Sequence, residues 1–340
     1  MALNTGKIAL FVGNGFAQGL GFPSMGELWD VCLSASGPRY APLLEEAKKQ
    51  YPLAAFMEKG IRDIELLLTV WRATWEGYEE YLGGSWQESG RGAFANYIEN
   101  LCNHLYRFTI QGIQTTEFRD FQSVIVQLSR ERNLVLITTN YDLLLEAVIR
   151  QAGLSYTLQD DAKNGTIPIR KLHGSISWMS SAHKVVSEVG KLRLFFQGSK
   201  PEGKVYDLTT DCFRVPVPTL EGMYMQWGQQ IFETNVTPIA SLIPPLVGKK
   251  YNELFKYILG CMQRDFSGLD CLVVIGYSFP EADPFIRAYI TQLCMKYKTP
   301  RIIVVNDNKH VCERAKAYFK NIDTVTICER WKATHLEAVS

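Results

Sequence analysis

The segment GKIALFVGNGFAQGLGFPSMGEL, residues 6–28, decides the fold. Five apolar residues, Ile8–Val12, run straight into Gly13, Gly15, Gly19 and Gly21. A short run that is apolar on both faces reads as a buried strand of a parallel sheet. Glycines placed directly after it read as a tight turn whose backbone N–H groups approach a phosphate. The spacing Gly13-x-Gly15-x-x-x-Gly19 is one residue longer than the dehydrogenase fingerprint. The acidic residue expected to end a second strand about 20 residues later is missing, since Asp30 lies in helical sequence. The turn points to a dinucleotide, and away from standard hydride transfer.

Three further runs share the character of the first: NLVLITT (133–139), CLVVIGYSF (271–279) and RIIVVND (301–307). After the second of these comes PEADPFIRAYITQLCMKY (280–297). There Asp283-Pro284 predicts a capped helix start, and Phe285, Ile286, Tyr289, Ile290 and Leu293 form one apolar face. Strand, turn, helix and strand in succession predict an α/β fold, a Rossmann-like doubly wound parallel sheet. Two segments break the rhythm. Residues 24–125 read as helical, with Ile64, Leu67, Leu68, Trp71 and Trp75 at helical spacing, while 179–235 are loop-rich and short-stranded. The expectation is a single domain over 1–340, with a core formed by 1–23, 126–178 and 236–340. A large helical insertion (24–125) and a smaller loop/β-rich insertion (179–235) interrupt it.

Bulk properties narrow the function. The 340 residues carry 36 Lys+Arg against 35 Asp+Glu, a net charge of +1, so no overall field draws the chain to nucleic acid. Aromatics around Trp71–Trp86 are read as core in preference to a base-stacking platform. The eight cysteines include no Cys-x-x-Cys pair, which suits reduced, buried thiols and no zinc cage. His104 and His183 have no ligand-spaced neighbours, so no metal site is assigned. With no signal-peptide core and no membrane-length apolar run, a cytoplasmic location is expected.

Two stretches offer polar groups where ligands of open α/β sheets sit. TTNYD (138–142) follows a buried strand, so Asn140 falls at the strand's C-terminal tip; Asn140 or Asp142 could equally cap the next helix. IPIRKLHGSISW (167–178) places His173 before a glycine at the end of another extended run. Asp283 could reach a ribose, though capping its own helix is the expected use.

GNGFAQGLGFPS, TTNYD, KLHGSISW, VIGYSF and VVND, in that order, resemble the NAD-binding fold of sirtuins. The chain departs from sirtuin deacylases in having no zinc cysteines and in reading Gly21-Phe22-Pro23-Ser24-Met25 where they carry an Asp-Phe-Arg element. It is more similar to the zinc-free, sirtuin-like NAD+ hydrolases of bacterial anti-phage defence. That resemblance implies an NAD+ glycohydrolase, with NAD+ as substrate, no true cofactor and no zinc. It implies Asn140 and His173 as catalytic residues, Asn140 orienting ribose or water and His173 accepting a proton. It also implies contacts to the dinucleotide from Gly13, Asn14, Gly15, Phe16, Asp142, Gly276, Ser278, Asn306 and Asp307, with Phe16 walling the nicotinamide end. Homo-oligomerisation, or a partner such as a HerA-type ATPase or an Argonaute-like protein, would hold the activity off. A non-catalytic sensor of NAD+ or ADP-ribose, and an NAD+-dependent deacylase or ADP-ribosyltransferase, remain open at this point.

Overall fold

The computed structural model describes residues 6–24, 27–28, 101, 104–157, 165–180, 185–188, 191–194, 206–207, 239–242, 253–280 and 283–335. Its centre is a seven-stranded sheet. From one edge to the other run β12 (Asp323–Ile327), β11 (Arg301–Val305), β10 (Leu269–Ile275), β1 (Lys7–Val12), β2 (Asn133–Thr138), β4 (Thr166–Lys171) and β3 (Ser155–Thr157). All six neighbouring pairs are parallel. The fold is therefore the expected α/β, Rossmann-like parallel sheet. The four apolar runs read from the sequence became β1, β2, β10 and β11; β1 ends with its run at Val12, and the other three end one to four residues before theirs.

Helices flank the sheet: α1 (Asn14–Gly19), α2 (Thr116–Glu131), α3 (Leu144–Gln151), α4 (Glu253–Phe266), α5 (Pro284–Lys296) and α6 (Lys309–Tyr318). Leu10, Phe11, Leu136, Ile137, Val273, Val274, Ile303 and Val304 have no more than a trace of exposure, because these central strands are covered on both faces. Burying one such side chain contributes about 1.5–3 kcal/mol. Chain order places the switch point between β1 and β10: from β1 the chain winds outward through β2 to β4, then returns to β10 on the other side. The crevice at the C-terminal tips of these strands is where a doubly wound sheet takes its ligand.

The helix α2 begins at Thr116, whose hydroxyl-bearing neighbour Thr115 accepts the Phe118 N–H at 3.2 Å and caps it. Phe118, Phe121, Ile125 and Leu128 make its buried stripe and join the main core. The expected resumption of the core at residue 126 falls inside this helix. Leu105, Tyr106 and Ile113, also from the expected helical insertion, pack into the same core. The tryptophans of 71–86 lie outside the described residues. Within the other expected insertion, β6 (Val185–Glu188) and β7 (Lys191–Leu194) form an antiparallel hairpin. The strand β5 (Gly174–Ser180) pairs antiparallel with β8 (Tyr206–Asp207) and with β9 (Ile239–Leu242).

The face of α5 differs from the one expected. Ile286, Ile290, Leu293 and Cys294 are its buried residues, while Phe285 is 45% exposed and stacks on Tyr289 at 5.8 Å. Of the five described cysteines, Cys261, Cys271, Cys294 and Cys312 are buried free thiols and Cys328 is exposed. Burial pushes the Cys294 thiol up to about 12 and that of Cys271 up to about 11, so neither is a nucleophile near neutral pH. No helix of the described residues is long and apolar enough to cross a membrane.

Candidate functional site

The glycine turn is a knot of close backbone approach. Gly13 N–H donates to the Ile275 carbonyl and Gly15 N–H to the Gly276 carbonyl, both at 2.8 Å. A Cβ on Gly13 would lie 2.5 Å from Tyr277 Cα, and one on Gly15 would lie 2.8 Å from the Gly276 oxygen. Gly276 itself sits at φ +63, its absent Cβ 2.2 Å from the Phe16 nitrogen. These three glycines let the tips of β1 and β10 interlock at the switch point. They also occupy donors that sequence reasoning assigned to phosphate: Gly13, Gly15 and Phe16 N–H all bond to carbonyls, the last to Gly13 at 3.2 Å. Of the four turn residues, Asn14 is the one whose backbone donor takes no such bond among the described residues.

Two clusters of sequence-expected residues flank this knot. On the β11 side, a cleft is lined by Gly15, Phe16, Gly276, Asn306 and Asp307, all expected, together with Gly19, Leu20, Glu117, Arg330 and Trp331. Phe16 is buried against Phe121 (4.5 Å between centroids) and against Trp331 (5.6 Å) and lines this cleft. Asn306 is buried and structural in its hydrogen bonds: Oδ1 accepts the Asn308 N–H at 3.0 Å and Nδ2 donates to the Tyr277 carbonyl at 3.4 Å. Asp307 is exposed at the rim. Arg330 and Trp331 were missed; the signal available was their position just past β12, at another C-terminal strand tip of the same sheet.

On the other side lie Asn140, Asp142 and His173, none of which lines that cleft. Thr138 ends β2, donates its hydroxyl to the Val12 carbonyl at 2.7 Å and accepts the Asn140 N–H at 2.9 Å. One side chain thus ties the β2 tip to the β1 tip and seats Asn140. The post-β4 turn runs alongside, with Leu172 N–H donating to the Thr138 carbonyl at 2.8 Å and Ile176 N–H to the Tyr141 carbonyl at 3.0 Å. Gly174, at φ +87, supplies the left-handed residue that turns the chain between β4 and β5. These bonds bring the loops of Asn140 and His173 side by side, with the Tyr141 and His173 rings 6.1 Å apart.

Asp142 is committed to the scaffold. Its Oδ1 accepts the Leu144 N–H at 2.9 Å at the start of α3, and the Asn140 amide hydrogen-bonds its carboxylate. Burial raises its carboxyl above the ordinary aspartate value, opposed by the charge of Lys171 and by the hydrogen bonds from Leu144 and Asn140. Asp142 thus braces the start of α3 from the residue before its N-cap, Leu143, and Asn140 is held by it. The Lys171 ammonium reaches the Asp142 carbonyl and pairs with Glu146 at 2.8 Å, both side chains almost fully buried.

Asp283 overturns its expected use. It occupies the position before α5 but makes no side-chain capping bond. Its Oδ1 lies instead 3.3 Å from Nε2 of His173, with both side chains about 95% buried. Ser278 is exposed, and the Arg314 guanidinium donates to the carbonyls of Ser278 (3.4 Å) and Phe279 (3.1 Å). Phe279 stands at φ +51, unusual for a bulky side chain, its ring wedged against Tyr277 at 4.9 Å and Phe319 at 5.9 Å.

Residues 134–208 match the family model for a SIR2-like domain. The match takes in β2, the Asn140–Asp142 loop, β4 and His173, and it supports a sirtuin-like, NAD+-related reading of this SIR2-like segment. No curated protein matches the chain. Among the described residues, no group of three or more His, Cys, Asp or Glu side chains is placed to hold a metal ion.

Proposed function

We propose that the protein is an NAD+ glycohydrolase, with Asn140 and His173 at the reacting centre. The observation that carries this reading is the joining of their two loops, through the Thr138–Leu172 and Tyr141–Ile176 backbone bonds, at the C-terminal edge of the sheet inside the SIR2-like segment. The dinucleotide would extend from there across the switch point, its phosphates near Asn14 and its adenosine half toward Asn306, Asp307 and Trp331. Arg330 would offer a cation on the way.

The chemistry asks little of a general acid. Breaking the bond between ribose C1′ and the pyridinium nitrogen sends the electron pair to nicotinamide, which leaves neutral. Water forms the new bond to C1′ and loses one proton, which His173 accepts and returns to solvent. Products are nicotinamide, ADP-ribose and a proton. The site must hold the ribose and water in line and stabilise an oxocarbenium-like transition state. The Asn140 amide, seated by Thr138 and Asp142, is suited to the first task.

Unrestrained loss of NAD+ is toxic to the cell that makes the enzyme. We therefore place the activity in a conditional setting, an NAD+-depleting effector of anti-phage defence restrained by self-assembly or by a partner ATPase or Argonaute-like protein. The test is to incubate purified protein with NAD+ and follow nicotinamide and ADP-ribose by chromatography, alongside Asn140→Ala and His173→Ala. Release lost in both variants, with unchanged thermal unfolding, supports the hydrolase. Wild-type rates in both variants would overturn the site, and NAD+ binding without release would favour a sensor.

A further inference from the structure

Two of the free thiols meet at one edge of the sheet. Cys312 lies early in α6 and is 2% exposed, whereas Cys328 is exposed and directly follows β12. The Cys312 Sγ stands 4.0 Å from the carbonyl oxygen of Ile327, the last residue of β12. A carbonyl oxygen lies within about 3 Å of the next Cα, so the Cys328 backbone is held close to Cys312. Their side chains meet, the Cys328 thiol hydrogen-bonding that of Cys312. The same Ile327 carbonyl accepts the Asn306 N–H at 3.1 Å, and Cys312 Sγ donates to the Asn306 carbonyl at 3.4 Å. The ends of β11 and β12 and the start of α6 are thus pinned around one pair of sulfurs.

We propose that Cys328 is an oxidation site and Cys312 its resolving thiol, the pair closing to a disulfide by exchange with a small-molecule disulfide such as oxidised glutathione. The exposed Cys328 is the sulfur that such an oxidant reaches. Burial, with Cys328 beside it, pushes the Cys312 thiol up to about 12, so Cys312 does not react first. The Cys328 thiolate attacks the oxidant; one oxidant sulfur leaves as a thiolate and the other stays bound to Cys328. Cys312 then loses its proton, its sulfur attacks that of Cys328, and the second small thiolate leaves. The two thiolates take up the two protons lost by the cysteines, and two electrons have passed from the protein to the oxidant. A neighbour held in place reacts at an effective concentration of about 10⁵ M or more, which offsets the scarcity of Cys312 thiolate. The closed bond removes the S–H donor from the Asn306 carbonyl and ties the chain leading to Arg330 and Trp331 onto α6. Asn306, Arg330 and Trp331 line one cleft, so oxidation of the pair reshapes it.

The full chain is incubated in glutathione buffers of stepped oxidised-to-reduced ratio and quenched in acid. Remaining thiols are alkylated after unfolding, and the peptides are mapped by mass spectrometry. A Cys312–Cys328 linked peptide is expected to appear and vanish with that ratio as one two-electron couple. Cys261, Cys271 and Cys294, all buried, should stay alkylated. In Cys312→Ser, Cys328 should stop at the mixed disulfide with glutathione; in Cys328→Ser, Cys312 should remain a thiol. Wild-type protein that stays fully reduced, carries glutathione on Cys328 without a linked peptide, or links Cys328 elsewhere would overturn the proposal, whatever the variants do. The effect on the cleft rests on reading it as the adenosine end of the NAD+ path. Calorimetry should find NAD+ bound about fivefold or more weakly by the oxidised chain than by the reduced one. Equal affinities would overturn that effect. Reduced protein that bound no NAD+ would strike the NAD+ reading alone, since the linked peptide is read without any ligand.

Discussion

Arg170 grips Asp265 from inside the fold, Nε to Oδ2 at 2.7 Å and Nη2 to Oδ1 at 3.3 Å, with no part of the arginine side chain exposed. The next residue along β4, Lys171, sends its charge to the opposite face because successive strand residues alternate, and meets Glu146 of α3 there. Each face of β4 is thereby bound to a helix, α4 on one side and α3 on the other, two residues before His173. Removing one member of a buried ion pair leaves the other charge unpaired in the core and costs about 3–5 kcal/mol, whereas replacing both by apolar residues of similar volume is close to neutral. Asp265→Ala should therefore lower the urea midpoint sharply, and Arg170→Met combined with Asp265→Leu should recover most of it. If Asp265→Ala unfolded at the wild-type urea concentration, the pair would have no such role.

Asp142 makes a pH-dependent contribution whose sign can be worked out. Burial, outweighing Lys171 and the hydrogen bonds, sets its folded pKa above the unfolded value of about 3.9. The folded chain then holds the proton more tightly than the unfolded chain. Its contribution is complete below the unfolded pKa and declines as pH rises through the folded pKa. Asp142→Asn keeps an oxygen for the Leu144 N–H and removes the titration. Relative to wild type, the variant should gain stability as pH rises above the unfolded value, read from thermal unfolding at each pH. A variant that instead loses ground as pH rises would show that the carboxylate is favoured in its charged form. A rise in KM for NAD+ without change in unfolding would return Asp142 to the ribose.

The sheet was legible because its strands are short, apolar on both faces and followed at once by turn residues. The tips were legible for the same reason: Asn140 and His173 each follow a recognisable strand, and the sheet's parallel order brings their loops together. Asp283 was not. A residue before Pro284 at a helix start reads locally as a cap, and nothing local reports that its carboxylate faces a histidine from a distant strand. Phe285 was assigned to the buried face of α5 because it is apolar and well spaced, yet Ile286 and Ile290 take that face and leave it in solvent. The glycine turn was legible as a turn; the close packing of the β10 loop backbone beside Gly13 and Gly15 was not, because it depends on a strand far along the chain.

Substitution of the glycines separates packing from ligand contact. Gly276→Ala combines a left-handed φ, costing about 1–2 kcal/mol, with a Cβ driven into the Phe16 backbone, which cannot yield as a flexible side chain would. Gly13→Ala meets Tyr277 Cα in the same way. Both variants should lose the cooperative thermal transition or express as aggregates. Gly19, in the last position of α1 and at the edge of the Phe16–Trp331 cleft, has nothing within 4 Å of its missing Cβ. Gly19→Ala should fold normally and gain up to about 0.5–1 kcal/mol from the reduced entropy of the unfolded chain. The informative quantity in that variant is NAD+ affinity by calorimetry. Weakened binding in a fully folded protein would put the dinucleotide against Gly19, in the cleft beside Trp331. Unchanged binding would move it away from α1 and exclude the third fingerprint glycine from the ligand's path.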